Sequence, residues 1–379
     1  MSKEKGSISE ISKVFFKLGC IAFGGPAAHI AMMEQEIIEK RKWMSHQHFL
    51  DLIGATNLIP GPNSTEMTMH CGHERGGVLG LFAAGISFIF PAVVITGILG
   101  FLYVEYGQLP EVEPFIFGIK PAVLAIIAAA VLKLGKKALK GWELGVLGAF
   151  VLTASLLGVN EIIALLSAGV LGTLYFSTKS KFDASPKSIL PFLFLQAGSA
   201  AATKITALNV FWSFLKVGSI LYGSGYVLFA YLDAELVMSG WLTRPELIDA
   251  IAVGQFTPGP VLSTATFIGY QLAGWEGAIA ASVGIFLPSF LFVWILNPLI
   301  PKMRESKTLG FFLDSVNVAA VAVMVAVLFV MGQDTLTDWR AITIALLGVA
   351  FTFGPKKLNA MWIVAGGAGL GYLLKLIQF

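Results

Sequence analysis

Long apolar stretches dominate the hydropathy pattern of this chain. Residues 78–104, 115–132, 207–232, 277–296 and 311–331 are continuously apolar rather than alternating. Each approaches or exceeds the roughly 20 residues a helix needs to cross a bilayer. The missing period-two alternation favours helices over a barrel. Shorter apolar units at 14–33, 142–157 and 160–176 predict further helices in the first half.

One polar interruption recurs inside this apolar pattern. Residues 54–66 end an apolar run with Pro60-Gly61-Pro62 and continue at once with Asn63, Ser64, Thr65 and Glu66. Two prolines remove two backbone donors and clash with a helix arriving from the N-terminal side. Proline is tolerated in the first turn of a new helix, and Asn and Ser cap such starts. The stretch predicts one helix ending, a tight break and another beginning. The same device returns as Gln255-Phe256-Thr257-Pro258-Gly259-Pro260 followed by Ser263 and Thr264. A plain inter-helix loop at the membrane surface is the bland reading of either copy.

The two breaks belong to a tandem duplication. Phe23-Gly24-Gly25 corresponds to Tyr222-Gly223-Ser224, and Glu34 and Glu36 to Asp233 and Glu235, at an offset of 199. Asp51 and Pro60-Gly61-Pro62 match Asp249 and Pro258-Gly259-Pro260 at 198, and Gly72, Gly80 and Pro91 match Gly269, Gly277 and Pro288 at 197. Lys17 pairs with Lys216, and Lys120 faces Asn317. The reading is two repeats, 8–178 and 206–379, with a linker at 179–205 that is polar around Lys179–Lys187.

Charge then orients them. The segment after the first apolar unit carries Lys40, Arg41 and Lys42, and its counterpart Asp233 and Glu235 with one Arg244; the loop before Pro114 has Glu105, Glu111 and Glu113, and its counterpart Lys302, Arg304 and Lys307. Lys133, Lys136, Lys137 and Lys140 oppose Asp334 and Asp338 with one Arg340, and the base-free 158–161 opposes Lys356-Lys357. Because basic loops stay inside, a bias that flips at every position predicts two repeats inverted in the membrane. Inversion requires an odd number of crossings per repeat. Five apolar units per repeat supply it if the Pro-Gly-Pro unit is a re-entrant hairpin. The expected fold is all-α and polytopic, with about ten transmembrane helices, two re-entrant Pro-Gly-Pro hairpins and the N-terminus outside. Lys3, Lys5 and Lys13 argue against that last point, and Gly24-Gly25-Pro26 leaves open whether the 14–33 unit is itself broken.

Composition agrees. The chain is 56% hydrophobic and 13% charged, against about 25% charged for soluble domains. Net charge +3 gives no reason to expect nucleic acid, and no cleavable signal peptide is read at the start. Cys20 and Cys71 have no metal-ligand spacing and read as free thiols. No metal, cofactor or nucleotide motif is found, so ATP-driven export and a membrane-embedded enzyme are both disfavoured.

Inverted repeats with broken helices are an architecture of secondary transporters. Irregular backbone at membrane depth survives only where it is buried in protein or lines a cavity. Half-helices starting there aim N–H groups and partial positive charge inward, which suits an anion. The candidate substrate-binding residues are Gly24, Gly25, Pro26, Asn57, Pro60, Gly61, Asn63, Ser64, Lys120, Gly223, Gln255, Thr257, Gly259, Ser263 and Asn317. Lys17, Lys216, Asp51, Asp249 and Glu66 are candidates for charge balance or proton coupling. Interfacial snorkelling of Lys17 and Lys216 and a helix-start role for Glu66 are the competing structural readings.

Phe23-Gly24-Gly25-Pro26, then Glu34-Gln35-Glu36, Trp43 and Pro60-Gly61-Pro62, all duplicated, resemble the chromate ion transporter (CHR) family over nearly the whole chain. The resemblance implies a bacterial or archaeal inner-membrane carrier of two fused, oppositely oriented halves. It implies efflux of chromate, a sulfate-like dianion, linked to the proton-motive force, and hence chromate resistance. The second half departs from the pattern, with Tyr222-Gly223-Ser224-Gly225 for Phe-Gly-Gly-Pro and Asn317 for Lys120. An asymmetric site is therefore expected. Sulfate or another oxyanion as cargo, a passive channel, and pairing of two copies into a homodimer all stay open.

Overall fold

The computed structural model describes residues 7–23, 25–56, 58–179, 205–222, 225–296, 306–354 and 358–376. Gly24, Asn57 and Gly223 of the candidate site lie outside the described residues, as do linker residues 180–204 and the charged residues Lys3, Lys5, Lys302, Arg304, Lys356 and Lys357.

The first half begins with α1 (Ile8–Ile21), a break, and α2 (Pro26–Met33), which continues as a π-helical turn over Glu34–Lys40. α3 (His46–Thr56) leads to the Pro-Gly-Pro break and to the long α4 (Asn63–Tyr106). α5 (Glu113–Ala138), α6 (Trp142–Leu156) and α7 (Glu161–Lys179) follow. The second half repeats the order. α8 (Ala207–Ile220) precedes a 3-10 turn and α9 (Leu228–Leu232), which runs into a π-helical turn over Asp233–Val237. α10 (Arg244–Phe256), α11 (Thr264–Leu296), α12 (Lys307–Thr335), α13 (Trp339–Phe353) and α14 (Ala360–Leu376) complete it. Among the described residues, α4, α5, α7, α12 and the Val261–Leu296 stretch containing α11 are long and apolar enough to cross a membrane, and α6, α8, α13 and α14 are shorter apolar helices.

Both α4 and α11 reverse direction inside their length. Gly77 has φ 62° and Gly274 φ 59°, a left-handed conformation that glycine adopts without Cβ strain. A Cβ on Gly72 would collide with the carbonyl of Gly80, and one on Gly269 with that of Gly277. In a straight helix such residues would be ~12 Å apart. Residues 63–76 are thus a half-length limb that turns at Gly77 and packs back on 78–106. With α3 they form a helical hairpin around the Pro-Gly-Pro break.

The first apolar unit differs from expectation. α1 and α2 do not make one crossing. Lys17 Nζ lies 3.6 Å from Glu36 Oε1, whereas a continuous helix would separate them by ~28 Å. Phe15 meets Trp43 with ring centroids 6.2 Å apart, and Arg75 sits 5.5 Å over the Trp43 ring. The chain enters along α1, which ends at Ile21, and returns along α2 from Pro26 to the face where it began. In the second half, Lys216 Nζ lies 2.6 Å from Glu235. The 14–33 unit therefore contributes no crossing, contrary to the count of five; four crossing helices remain in the first half, so inversion no longer follows from an odd count and only the relative direction of equivalent helices bears on it. The same unit also puts the start of α1 beside Arg75, which bonds Glu10 at 3.4 Å. That is the face bearing Lys40, Arg41 and Lys42, so α1 starts on that face and Lys13 no longer conflicts with the charge pattern; the N-terminus itself lies outside the described residues.

Helices at equivalent sequence positions run antiparallel. On the long limbs of α4 and α11, Gly85 lies against the Phe290 ring while Gly97 lies against the Trp275 ring. Gly135 of α5 faces Val321 of α12, and Lys140 reaches Asp314 at 2.6 Å. The packing is also exchanged between halves. α5 lies against α13 and α14, where a Cβ on Gly118 would collide with the Gly367 carbonyl. α12 lies against α6 and α7, with Gly169 against Phe312 and Val316. Gly367, in the small-residue run of α14, thus packs inside one chain, whereas Gly366 and Gly369 face open space. The sequence boundary between the halves is not a packing boundary.

This exchange predicts a sharp contrast within α5 and α14. Gly118→Val should cost about 1–3 kcal/mol by overpacking and lower the melting temperature of the purified protein, while Gly366→Val should leave it unchanged. Equal effects in a thermal-shift measurement would refute the placement of α14 on α5.

Candidate functional site

The breaks of the two halves meet in the middle of the molecule. Gly61 N–H donates to the carbonyl of Leu221, at the end of α8, at 2.7 Å, and Gly259 N–H donates to that of Ala22, at the end of α1, at 2.8 Å. Each Pro-Gly-Pro break is therefore tied to the first-helix break of the other half. Gly61 and Gly259 have φ 141° and 93°, conformations that favour glycine. Gly259 sits against Ala92 and Gly61 against Ser289, both midway along the long limbs of α4 and α11. The junction is thus at membrane depth, where unpaired backbone would be costly.

Several half-helices start at this junction. α2 begins at Pro26 after Gly25, and α4 begins at Asn63 after Pro62. A 3-10 turn over Val261–Ser263 opens the limb containing Thr264. Their N-termini carry partial positive charge. Buried polar atoms without a hydrogen-bond partner gather here, including Thr65 Oγ1, Gln255 Nε2, Ser263 Oγ, Ser289 Oγ and both carboxylate oxygens of Glu66. Ser64 is engaged, 3.3 Å from His29 Nδ1. Thr257 donates to its own helix, to Val253 O at 2.7 Å. Asn63 is half-buried in the first turn of α4.

The lysines are placed elsewhere. Lys120 lies on α5, 3.3 Å from Asp249 Oδ2 on α10, and Tyr103 Oη donates to the same oxygen at 2.7 Å. Asp249 precedes the end of α10 by seven residues, so this cluster lies ~10 Å from the break along the helix. Lys120 is a partner of Asp249 in this conformation rather than a free charge at the junction. Lys17 and Lys216 pair with Glu36 and Glu235. Glu36 also takes Lys40 at 3.0 Å and Arg41, so these pairs belong to the returning arms of the first hairpins. Asn317 is half-buried on α12.

The two halves are unequal. Asp249 is buried and Asp51, its counterpart, is half-buried. Ile248 is 1% exposed, whereas its counterpart Leu50 is 46% exposed. The α10 arm is packed and locked, while the α3 arm is loosely held. Tyr103 and Ser289 were not singled out from sequence. The Ser289 signal was available: it is the duplicate of Ala92, each following a matched proline. Tyr103 carries no such signal, because its partner is contributed by the other half.

The chain was compared with known proteins. The family model described as chromate transporter matches it twice, at residues 9–173 and 208–372. A chromate transport protein of Cupriavidus metallidurans is 29% identical over 96% of this chain and 92% of the relative. One from Pseudomonas aeruginosa is 30% identical over 95% and 91%. An uncharacterised transporter of Methanocaldococcus jannaschii is 26% identical over 95% and 92%. No solved structure matches the chain.

The Lys120–Asp249 pair gives a second test. Lys120→Ala leaves a buried carboxylate without its cation, a loss on the order of 3–5 kcal/mol for a buried pair. Asp249→Asn in the same chain removes the stranded charge. The double variant should therefore melt closer to wild type than Lys120→Ala alone. A double variant less stable than the single one would show that the pair is not the relevant contact.

Proposed function

The chain belongs to the chromate transporter family, and on that footing we propose that it is a secondary carrier that exports chromate across the cytoplasmic membrane by alternating access, conferring chromate resistance. The observation that carries the reading is the pair of mid-membrane junctions, where broken helices of the two halves begin beside buried polar atoms that have no protein partner. Helix N-termini stabilise negative charge without committing a lysine. A dianion shed of water needs such a surround.

In this reading the halves are inverted repeats, as the antiparallel pairing of equivalent helices supports. The basic face, with Lys40, Arg41, Lys136 and Lys137, is cytoplasmic by the positive-inside rule. The opposite face is closed by the Tyr103–Asp249–Lys120 cluster, which pins α10 against α4 and α5. The looser α3 arm lies toward the cytoplasm. Exchange of these roles moves the site from one face to the other. Lys120 then acts at two stages, holding α10 closed here and meeting the anion once Asp249 releases it.

Uptake of labelled chromate and, separately, sulfate into inside-out membrane vesicles tests this, with and without an imposed proton-motive force. Energised vesicles should accumulate chromate, and vesicles with Lys120→Ala should not, although the variant inserts normally. Sulfate accumulation with chromate only as competitor would move the cargo to sulfate. Equal uptake without energisation would make the protein a channel.

A further inference from the structure

Glu66 stands apart from the other buried acids of the described residues. Glu36 is paired with Lys17, Lys40 and Arg41, Asp233 with Arg244, and Asp249 with Lys120. Glu66 is fully buried, and neither carboxylate oxygen has a hydrogen-bond partner. Its position is the tip of the Pro-Gly-Pro break. A Cβ on Gly61 would collide with Glu66 Oε1 and lie 2.6 Å from Ser289 Oγ, itself buried and unpartnered. The carboxyl and the hydroxyl thus face the same few ångströms of space beside the Gly61–Leu221 hydrogen bond.

The surrounding titratable groups do not neutralise it. Tyr222, from the end of α8, is within electrostatic reach. His29, from α2, is engaged with Ser64. His70 lies one turn further along the same limb. α11 contributes Ser289, and the phenyl ring of Phe312 from α12 packs on Tyr222. The other junction lacks the whole device. Thr264 replaces Glu66 and donates to Val261 O at 2.8 Å, and Ala92 replaces Ser289, 2.9 Å from where a Cβ of Gly259 would sit.

An ionised carboxylate buried without a cation or donor is strongly disfavoured. The same carboxylate, ionised, would repel a dianion from the helix N-termini they share. We propose that Glu66 is the proton-binding site of the transport cycle, protonated in this conformation, and that a divalent oxyanion occupies the junction only while that proton is present. The proposal rests on the oxyanion-carrier reading above. The O–H bond forms with a proton from water on the loading face and breaks to water on the other, with no redox change. On the empty return, ionised Glu66 takes the anion's place before the helix N-termini. One proton then accompanies each dianion, so the loaded carrier moves one net negative charge. A membrane potential negative on the basic face drives that charge outward.

The full-length protein reconstituted in liposomes tests this. Chromate–chromate exchange by wild type should rise on acidification, approaching about tenfold per pH unit on the alkaline side, as one-proton linkage requires. Glu66→Gln mimics the protonated carboxyl. It should exchange chromate at a pH-independent rate and carry no protons with it, as read by a trapped pH dye. Ser289→Ala should shift the pH midpoint of exchange, and an unshifted midpoint would overturn the facing of hydroxyl and carboxyl. A wild-type pH slope in Glu66→Gln, chromate-coupled proton movement in that variant, or loss of its exchange while it stays folded would each overturn the proposal. Infrared difference spectra at neutral pH supply an arm that needs no substrate. Wild type should show a protonated-carboxyl band that Glu66→Gln lacks, and absence of the band in wild type would overturn the proton assignment. If wild type shows the band but exchanges no chromate, the oxyanion-carrier reading and the anion coupling fail, and the proton site stands.

Discussion

A broken helix inside a bilayer has backbone groups that water cannot reach, and they must find partners within the protein. Two hydrogen bonds answer that constraint here, Gly61 N–H to Leu221 O and Gly259 N–H to Ala22 O. Each joins the Pro-Gly-Pro tip of one half to the first-helix tip of the other. Neither half satisfies its tips alone, so the two must interpenetrate. The junction they create is polar, mid-membrane and shared, which is the setting an anion carrier needs.

Glycine makes the interpenetration geometrically feasible. Gly19 and Gly218 let α1 and α8 approach the backbone of Phe88 and Ile285. Gly118 and Gly371 bring α5 and α14 into backbone contact. Where lipid gives helices no hydrophobic reason to associate, close approach of this kind supplies the packing energy. The exchange of α5 and α12 between halves then couples any movement of one hairpin to the opposite set of crossing helices.

Near-symmetry in backbone coexists with asymmetry in chemistry. The junctions share glycines, prolines and hydrogen bonds, yet only one holds a carboxyl and a facing hydroxyl. The arms differ likewise, with Asp249 clamped by Lys120 and Tyr103 and its counterpart Asp51 half-buried on a loosely held α3. A perfectly symmetric carrier would have no preferred face. Differences of this kind give the two faces unequal energies.

Much of this was written in the sequence. The apolar runs, the duplicated Pro-Gly-Pro and the half-helix starts at Pro26 and Asn63 follow from local rules, because proline and glycine act on their own backbone. The alternating sign of the loops likewise anticipated the antiparallel pairing of equivalent helices. Direction after a break was beyond it. Gly24-Gly25-Pro26 announces an interruption, but whether the chain continues across or turns back depends on what α2 packs against, here Ser64 and Thr68 of α4. Charge pairing was beyond it too, since Lys120 and Asp249 are 129 positions apart and in different halves. Sequence determined where the backbone must break. Tertiary structure decided which broken ends face each other, because a hydrogen bond or ion pair across the molecule depends on distances that no local pattern encodes.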